Sequence, residues 1–196
     1  MRTSRLEEFS DGVLAIIITI MVLELHVPEG ARLEDLADST TGFLTYLLSF
    51  VYIGIYWNNH HHMFQLVRRI DGTVLWANLH LLFWLSLFPF TTAWMDETEL
   101  ARTPLVVYGA NLLAAAIAYF LLEHAIFRAE GPDGLLRQAL GRDVKGKVSP
   151  LIYVAGILTA AVAGWPALIL YTFVAAMWLV PDRRLETYVA EHGLAE

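Results

Sequence analysis

The sequence contains no cysteine among its 196 residues. Disulfide bonds, thiolate metal sites and cysteine nucleophiles are therefore excluded, and the sequence does not indicate a redox compartment. Charged residues are also scarce, at 17% of the chain, and their formal sum is −7. A negative balance argues against nucleic acid as a partner, because proteins that bind nucleic acid neutralise phosphates with basic patches.

Apolar residues are correspondingly abundant. They make up 57% of the chain, and the mean hydropathy is +0.51. This is more apolar surface than one soluble core of this size would bury. The apolar residues also form runs long enough to cross a hydrocarbon layer of about 30 Å, which takes roughly 17 to 25 helical residues. The sequence therefore predicts an all-α integral membrane protein, folded as one membrane domain over residues 1–196.

Six apolar runs predict six transmembrane helices. They cover about residues 9–25, 43–64, 73–94, 104–127, 149–163 and 165–180. The last two runs are short, and we expect them to form a hairpin through the turn at Gly164. The polar, glycine-rich segment from Arg128 to Lys147 is expected to be a loop with at most a short amphipathic helix.

The charges of the connecting segments predict the orientation of the helices. Cytoplasmic segments accumulate Lys and Arg. With the N-terminus inside, only Arg32 and Arg102 of the thirteen basic residues lie outside, which leaves eleven inside. The two outer basic residues face seven outer acids, a net charge of −5, and those acids are Glu29, Glu34, Asp35, Asp38, Asp96, Glu97 and Glu99. The sequence therefore predicts a multi-pass protein of the cell (inner) membrane with both termini cytoplasmic.

Polar residues gather at the inner ends of the first three predicted spans. Asp11 lies near the start of the first span, and an Asp at this depth is costly unless it is paired or hydrated. We expect the topology to bring polar groups of all three spans together, where they satisfy one another. The alternative is a solvated helix-start acid with snorkelling neighbours at the interface. The group comprises Arg5, Ser10, Asp11, Trp57, His60, His61, Asn78 and His80.

One face of the first predicted helix carries a narrow stripe of mostly apolar residues. At 100° per residue, Phe9, Gly12, Ile16, Thr19 and Leu23 share this face, and Asp11 points away from it. A stripe of this kind usually packs against other helices.

Catalytic and metal-binding motifs are missing from the sequence. His60, His61 and His62 follow one another, and consecutive helical residues diverge by about 100°, so they cannot converge on one metal ion. Glycine-rich phosphate loops and Gly-x-Ser-x-Gly elbows are also missing. Val107, Tyr108 and Gly109 do not complete the filter motif of pore-loop potassium channels. We expect no enzyme and no cofactor.

Three groups of residues resemble the motifs of a known family. They are Arg5-x-x-x-Phe9-Ser10-Asp11 in the first span, Tyr56-Trp57-x-x-His60-His61-x-x-Phe64 in the second, and Asn78-Leu79 with Ser86-Leu87-Phe88-Pro89-Phe90-Thr91 in the third. The combination covers about the first half of the chain. It resembles the bacterial branch of the transmembrane-protein-175 family of potassium channels.

The resemblance implies a homotetramer in which four copies of the first helix line a pore without a pore loop. By this likeness Ile16 forms the narrowest ring, with Thr19 one turn further and Leu23 above it. The resemblance also implies that Arg5, Phe9, Ser10 and Asp11 hold the first helix against the next two, whose matching residues are Trp57, His60, His61 and Asn78. His62 departs from the pattern and has no assigned role.

An apolar constriction favours the cation that gives up water more readily, which is potassium over sodium. The predicted function is therefore a potassium-selective cation channel with potassium as the permeant ion. A proton-coupled or small-solute transporter is the alternative, because Asp11, Glu24, Glu123 and the histidines are possible proton carriers. No inverted repeat with broken helices supports that alternative. A structural membrane protein is a third reading, which only the family resemblance opposes.

Overall fold

A computed structural model describes residues 3–28, 30–37, 39–140 and 144–179, and all regular structure within them is helical. Nine helices follow one another in the described part of the chain. They are α1 (Thr3–Leu23), α2 (Leu33–Ala37), α3 (Thr40–Gln65), α4 (Gly72–Ser86), α5 (Phe88–Glu97), α6 (Arg102–Glu130), α7 (Leu135–Leu140), α8 (Val144–Ala160) and α9 (Gly164–Leu179).

Three stretches of the described chain meet the length and apolar composition that a membrane span requires. α3 and α6 are long and apolar enough to cross a membrane, and so is the segment Gly72–Glu97 that contains α4 and α5. α3 has 26 residues and would extend roughly 39 Å, against about 30 Å for the hydrocarbon layer. α9 is apolar but shorter, with 16 residues. α1 is not in this set by length and composition, because four charged residues lie in its first nine positions.

The helices differ from the predicted spans most clearly in three places, at α1, at α4 with α5, and at α8. α1 begins at Thr3, before the predicted residue 9. The third predicted span, 73–94, contains an interruption at Leu87, after which Pro89 lies in the first turn of α5. Pro89 has no N–H to donate to the carbonyl of Leu85, four residues earlier, and its ring crowds that carbonyl, which explains the break. α8 begins at Val144, before the predicted residue 149. The end of the sixth predicted span, at Val180, lies outside the described residues, as do both chain termini.

The apolar core is built around α6. This helix packs against α4, α5, α8 and α9, and its residues Leu112, Ala115 and Leu122 are fully buried. Tyr171 of α9 enters a slot against Gly109 and Gly156, where any Cβ on either glycine would collide with its ring. α1 lies at the side of this core and contacts α3, α4 and α5. One face of α1 is therefore left without a partner among the described residues of the chain.

Candidate functional site

Helix α1 has a buried face and an exposed face. Leu6, Ser10, Leu14, Ile17 and Met21 are buried at helical spacing. On the opposite side lie large apolar residues that are exposed by 52% at Phe9, 59% at Ile16, 41% at Ile20 and 80% at Leu23. We call these four residues, with Gly12 and Thr19, the exposed stripe of α1. It contains all the residues that the sequence analysis placed on one face of the first helix.

Ile16 and Ile17 mark the boundary between the two faces. Ile16 is 59% exposed, whereas Ile17 is only 3% exposed and belongs to the core. Thr19 lies on the exposed stripe, and its hydroxyl donates a hydrogen bond of 2.8 Å to the carbonyl of Ile16. Because a hydroxyl has one hydrogen and two lone pairs, the Thr19 oxygen keeps acceptor capacity towards the open side.

A buried hydrogen-bonded chain links α1 to α3 and α4. The Asn78 amide donates to Ser10 Oγ over 3.0 Å, and Asn78 Oδ1 lies 2.8 Å from His60 Nε2. Ser10 Oγ in turn donates to the Leu6 carbonyl over 2.9 Å. With Asn78 Oδ1 as the acceptor, His60 carries its hydrogen on Nε2. His60 Nδ1 is buried without a hydrogen-bond partner in the described part of the chain.

Asp11 is held by α3. Trp57 Nε1 donates a hydrogen bond of 3.0 Å to Asp11 Oδ1. The Trp57 ring also stacks on His61, at 6.2 Å between ring centroids and 16° between planes. The sequence analysis expected Asp11 to pair with Arg5 or with polar groups of the next two spans, and the partner in the structure is Trp57 of the second span.

A second contact between α1 and α3 was not predicted. His61 Nδ1 lies 2.6 Å from Glu7 Oε1, and Gln65 Nε2 lies 3.1 Å from His61 Nε2. Glu7 precedes Asp11 by four residues and therefore shares its face of α1. The spacing of Glu7 and Asp11 in the sequence could have indicated that Glu7 also faces α3. We call the contacts of Glu7, Ser10 and Asp11 with α3 and α4 the polar anchor of α1.

Four of the residues that the sequence analysis singled out lie outside the polar anchor. Arg5 is exposed, and no ion pair or hydrogen bond joins it to the described residues. Phe9 lies on the exposed stripe instead. His62 contacts His61 at 5.7 Å between ring centroids. His80 accepts a hydrogen bond of 2.9 Å from Trp84, within its own helix.

Within residues 3–28, 30–37, 39–140 and 144–179, no group of three His, Asp or Glu side chains is arranged to hold a metal ion. The contacts of the site serve to orient α1. The polar anchor fixes the rotation of α1 about its axis, and that rotation determines which side chains form the exposed stripe. This arrangement suits a helix that presents one face to a pathway or a neighbouring subunit.

Comparison with known proteins identifies the class as a membrane channel. The family described as endosomal/lysosomal potassium channel TMEM175 matches residues 5–89. A protein named potassium channel from Chryseobacterium sp. strain P1-3 is 50% identical over 192 residues, which is 98% of this chain and 100% of the relative. The zebrafish (Danio rerio) relative, named endosomal/lysosomal proton channel TMEM175, is 29% identical over 62% of this chain and 24% of its own length.

A solved structure agrees with this class. The crystal structure described as a lysosomal potassium-selective channel TMEM175 homolog from Chamaesiphon minutus matches with a TM-score of 0.74 and 31% identity. The match covers 91% of this chain and 96% of the other. The chain belongs to the TMEM175 family of potassium channels, and it is a cation channel of the membrane.

Proposed function

We propose that the chain is one subunit of a homotetrameric channel of the cell (inner) membrane that passes potassium in preference to sodium. Each subunit has six spans with both termini cytoplasmic, and four copies of α1 line the pore. The exposed stripe of α1 carries this proposal. It is a line of exposed side chains on a helix whose opposite face is fixed by the polar anchor.

The proposed pore has three layers on the exposed stripe. Ile16 forms the narrowest ring, Thr19 follows roughly 4.5 Å along the helix axis, and Leu23 lies roughly 10 Å from Ile16. Rings of Ile and Leu offer no charge or hydrogen bond to a permeant ion. Thr19 offers an oxygen lone pair, because its hydrogen is engaged by the Ile16 carbonyl.

Selectivity in this pore comes from dehydration. An ion that passes an apolar ring loses part of its water shell without full replacement, and potassium loses water more readily than sodium. The oxygens of four Thr19 residues would replace part of the lost hydration directly beyond the constriction. We therefore propose moderate selectivity, without the backbone-carbonyl filter of pore-loop channels.

The polar anchor has a gating and packing role in this proposal. A rotation of α1 by one residue, about 100°, would replace Ile16 with Ile17 or Ala15 at the constriction. The bonds from Trp57 to Asp11 and from Asn78 to Ser10, with the contact between His61 and Glu7, oppose that rotation. Arg5 and Phe9 belong to the same family motif and lie at the proposed inner mouth.

Reversal potentials decide the proposal. Purified protein is incorporated into planar bilayers with potassium on one side and sodium on the other, and the reversal potential should follow the potassium gradient. Equal permeability of the two ions in an assembled channel would refute the selectivity. Proton permeability is measured in the same bilayers under a proton gradient, because a relative is named a proton channel. Potassium flux strictly coupled to proton movement would favour the transporter instead.

A further inference from the structure

Three arginines gather where the linker between α3 and α4 meets the end of α6. Arg68 and Arg69 belong to that linker, and Arg128 lies in the last turn of α6. The backbone N–H of Arg68 donates a hydrogen bond of 2.6 Å to Glu130 Oε1, which places the linker beside the end of α6. All three arginine side chains are exposed. We call Arg68, Arg69 and Arg128 the arginine patch.

The guanidinium groups of the arginine patch have no counterion in the described part of the chain. No ion pair or hydrogen bond joins their side chains to another described residue. The two acids nearest to the linker accept hydrogen bonds from backbone N–H groups instead. Glu130 accepts from Arg68, and Asp71 accepts from Val74 over 2.9 Å. Arginine is always protonated, so three permanent cations remain open to an anion from outside the chain.

The linker that carries Arg68 and Arg69 is held in place. Leu66 is fully buried and Val67 is 5% exposed, so the chain just before the arginines belongs to the core. The Val67 carbonyl also accepts a hydrogen bond of 3.3 Å from Thr3 Oγ1 of α1. Because the backbone of Val67 and of Arg68 is already fixed, a ligand has to order only the side chains, which lowers the entropic cost of binding.

The arginine patch lies at the depth of lipid headgroups. The apolar segment Gly72–Glu97 begins three residues after Arg69. Trp76 lies in the second turn of that segment and is 74% exposed. Exposed tryptophan is typical of the boundary between the hydrocarbon layer and the headgroups. The linker arginines therefore lie just outside the hydrocarbon layer, where phosphates are found.

An exposed apolar face of α6 leads to the arginine patch. Ile117 and Leu121 are each 47% exposed. They precede Arg128 by eleven and seven residues, so all three share one face of the helix. This face changes from apolar side chains to a guanidinium group in the same direction in which a phospholipid changes from acyl chain to phosphate.

We propose that the arginine patch binds the phosphate of an anionic phospholipid, whose acyl chain lies on the face of α6 formed by Ile117 and Leu121. Guanidinium groups donate paired N–H bonds to phosphate oxygens, and anionic headgroups attract basic residues that lie next to a membrane span. The apolar face favours a lipid phosphate over a free phosphate. The inference goes beyond the proposed pore, because it uses no residue of the exposed stripe and is tested without ion flux.

Binding of radiolabelled phosphatidylglycerol tests the proposal. The full chain is immobilised in an uncharged detergent, and the bound lipid is measured at equilibrium. Saturable binding is expected, and the double variant Arg68→Gln with Arg69→Gln should weaken it about tenfold, the equivalent of ~1.4 kcal/mol. Arg102→Gln is the matched control, because Arg102 is an exposed arginine at the opposite end of α6. It removes a single positive charge and should leave the affinity unchanged.

Three results would overturn the proposal. The first is the absence of saturable binding to the unaltered protein. The second is unchanged affinity in the double variant. The third is an equal loss in Arg102→Gln, which would mean that the lipid responds to net charge alone. If the double variant yields no folded protein, Arg128→Gln decides, because it should weaken binding about threefold and an unchanged affinity refutes the patch.

Competition identifies the source of the phosphate. Unlabelled phosphatidylglycerol should displace the label, whereas phosphatidylcholine, whose headgroup has no net charge, should compete at least about tenfold more weakly. Inorganic phosphate should displace no more label than chloride at the same ionic strength. Equal competition by the two lipids would refute the preference for an anionic headgroup. Displacement by inorganic phosphate but not by chloride would assign the arginine patch to a free anion and overturn the lipid assignment.

Discussion

Ile16 and Ile17 are neighbours of the same chemistry in opposite surroundings. We expect Ile16→Asn to increase sodium flux, because four amides would hydrate an ion at the proposed constriction. Ile17→Asn should mainly reduce the yield of folded protein, because it buries an amide at a site that is 3% exposed. Burial without a partner costs about 1 to 3 kcal/mol. Sodium flux into proteoliposomes, at matched amounts of assembled protein, measures both effects.

An equal sodium leak from the two variants would contradict this prediction. It would mean that Ile16 is not the constriction and that the leak reflects general damage. Ile16→Val is a conservative control that keeps the apolar ring, and it should retain the preference for potassium.

The hydrogen bond between Trp57 and Asp11 provides a second test at the scale of a residue. Trp57→Phe removes the donor but keeps an aromatic ring, and Asp11→Ala removes the acceptor. Hydrogen bonds to charged groups are worth about 1.5 to 3 kcal/mol, and the 47% exposure of Trp57 reduces this one to about 1 kcal/mol. Thermal unfolding of the single and double variants should therefore show non-additivity of about this size. Strict additivity would mean that the bond contributes nothing.

The sequence predicted where the polar anchor lies but not the contacts that form it. The directions of three successive spans place their polar ends at one depth, which brings Ser10, Asp11, His60 and Asn78 within reach of one another. Individual pairs were not predictable, because they depend on the rotation of each helix. The pairing of Glu7 with His61 was missed, and Arg5 was expected to join the polar group although it is exposed. Depth follows from topology, whereas pairing needs side-chain packing.

At the scale of an element, the packing of α8 against α9 depends on a missing side chain. A Cβ at Gly156 would collide with the Tyr171 ring. Gly156→Ala should therefore destabilise the protein by about 1 to 3 kcal/mol, the usual cost of overpacking. Gly54→Ala in α3 is the matched control, because a Cβ there meets no atom within 4 Å. Melting temperatures of the two variants should differ in this direction.

Equal stability of the two variants would contradict the close packing of α8 and α9. The control itself should be neutral or slightly stabilising, since alanine is favoured over glycine inside a helix by up to about 1 kcal/mol.

Helix boundaries were less predictable than helix positions. Apolar runs located the long helices, because a continuous run of lipid-compatible residues is a strong signal. The interruption at Leu87 was not anticipated, although Pro89 is visible in the sequence, since prolines are tolerated in membrane helices. The short helix α2, Leu33–Ala37, has no long apolar run and contains no buried residue.

For the whole molecule, we expect a homotetramer. A helix that lines a pore needs symmetry mates to close a ring, and one subunit offers only one copy of the exposed stripe. Native mass spectrometry of the purified protein, with detergent removed in the gas phase, should give four times the 22.0 kDa mass of the chain. A stable monomer that still conducts would contradict the pore formed by four α1 helices.

The composition of α1 has a consequence for biogenesis. α1 is not apolar enough to be recognised as a membrane span by itself. Two of its carboxylates, those of Glu7 and Asp11, have their partners on α3. A ribosome must synthesise Trp57 and His61 before those carboxylates can be paired in the bilayer. We therefore expect a nascent chain released after residue 30 to remain extractable by alkaline carbonate, and one released after residue 97 to resist extraction. In this protein, the helix proposed to line the pore would be translated before α3 and would settle in the lipid only after it.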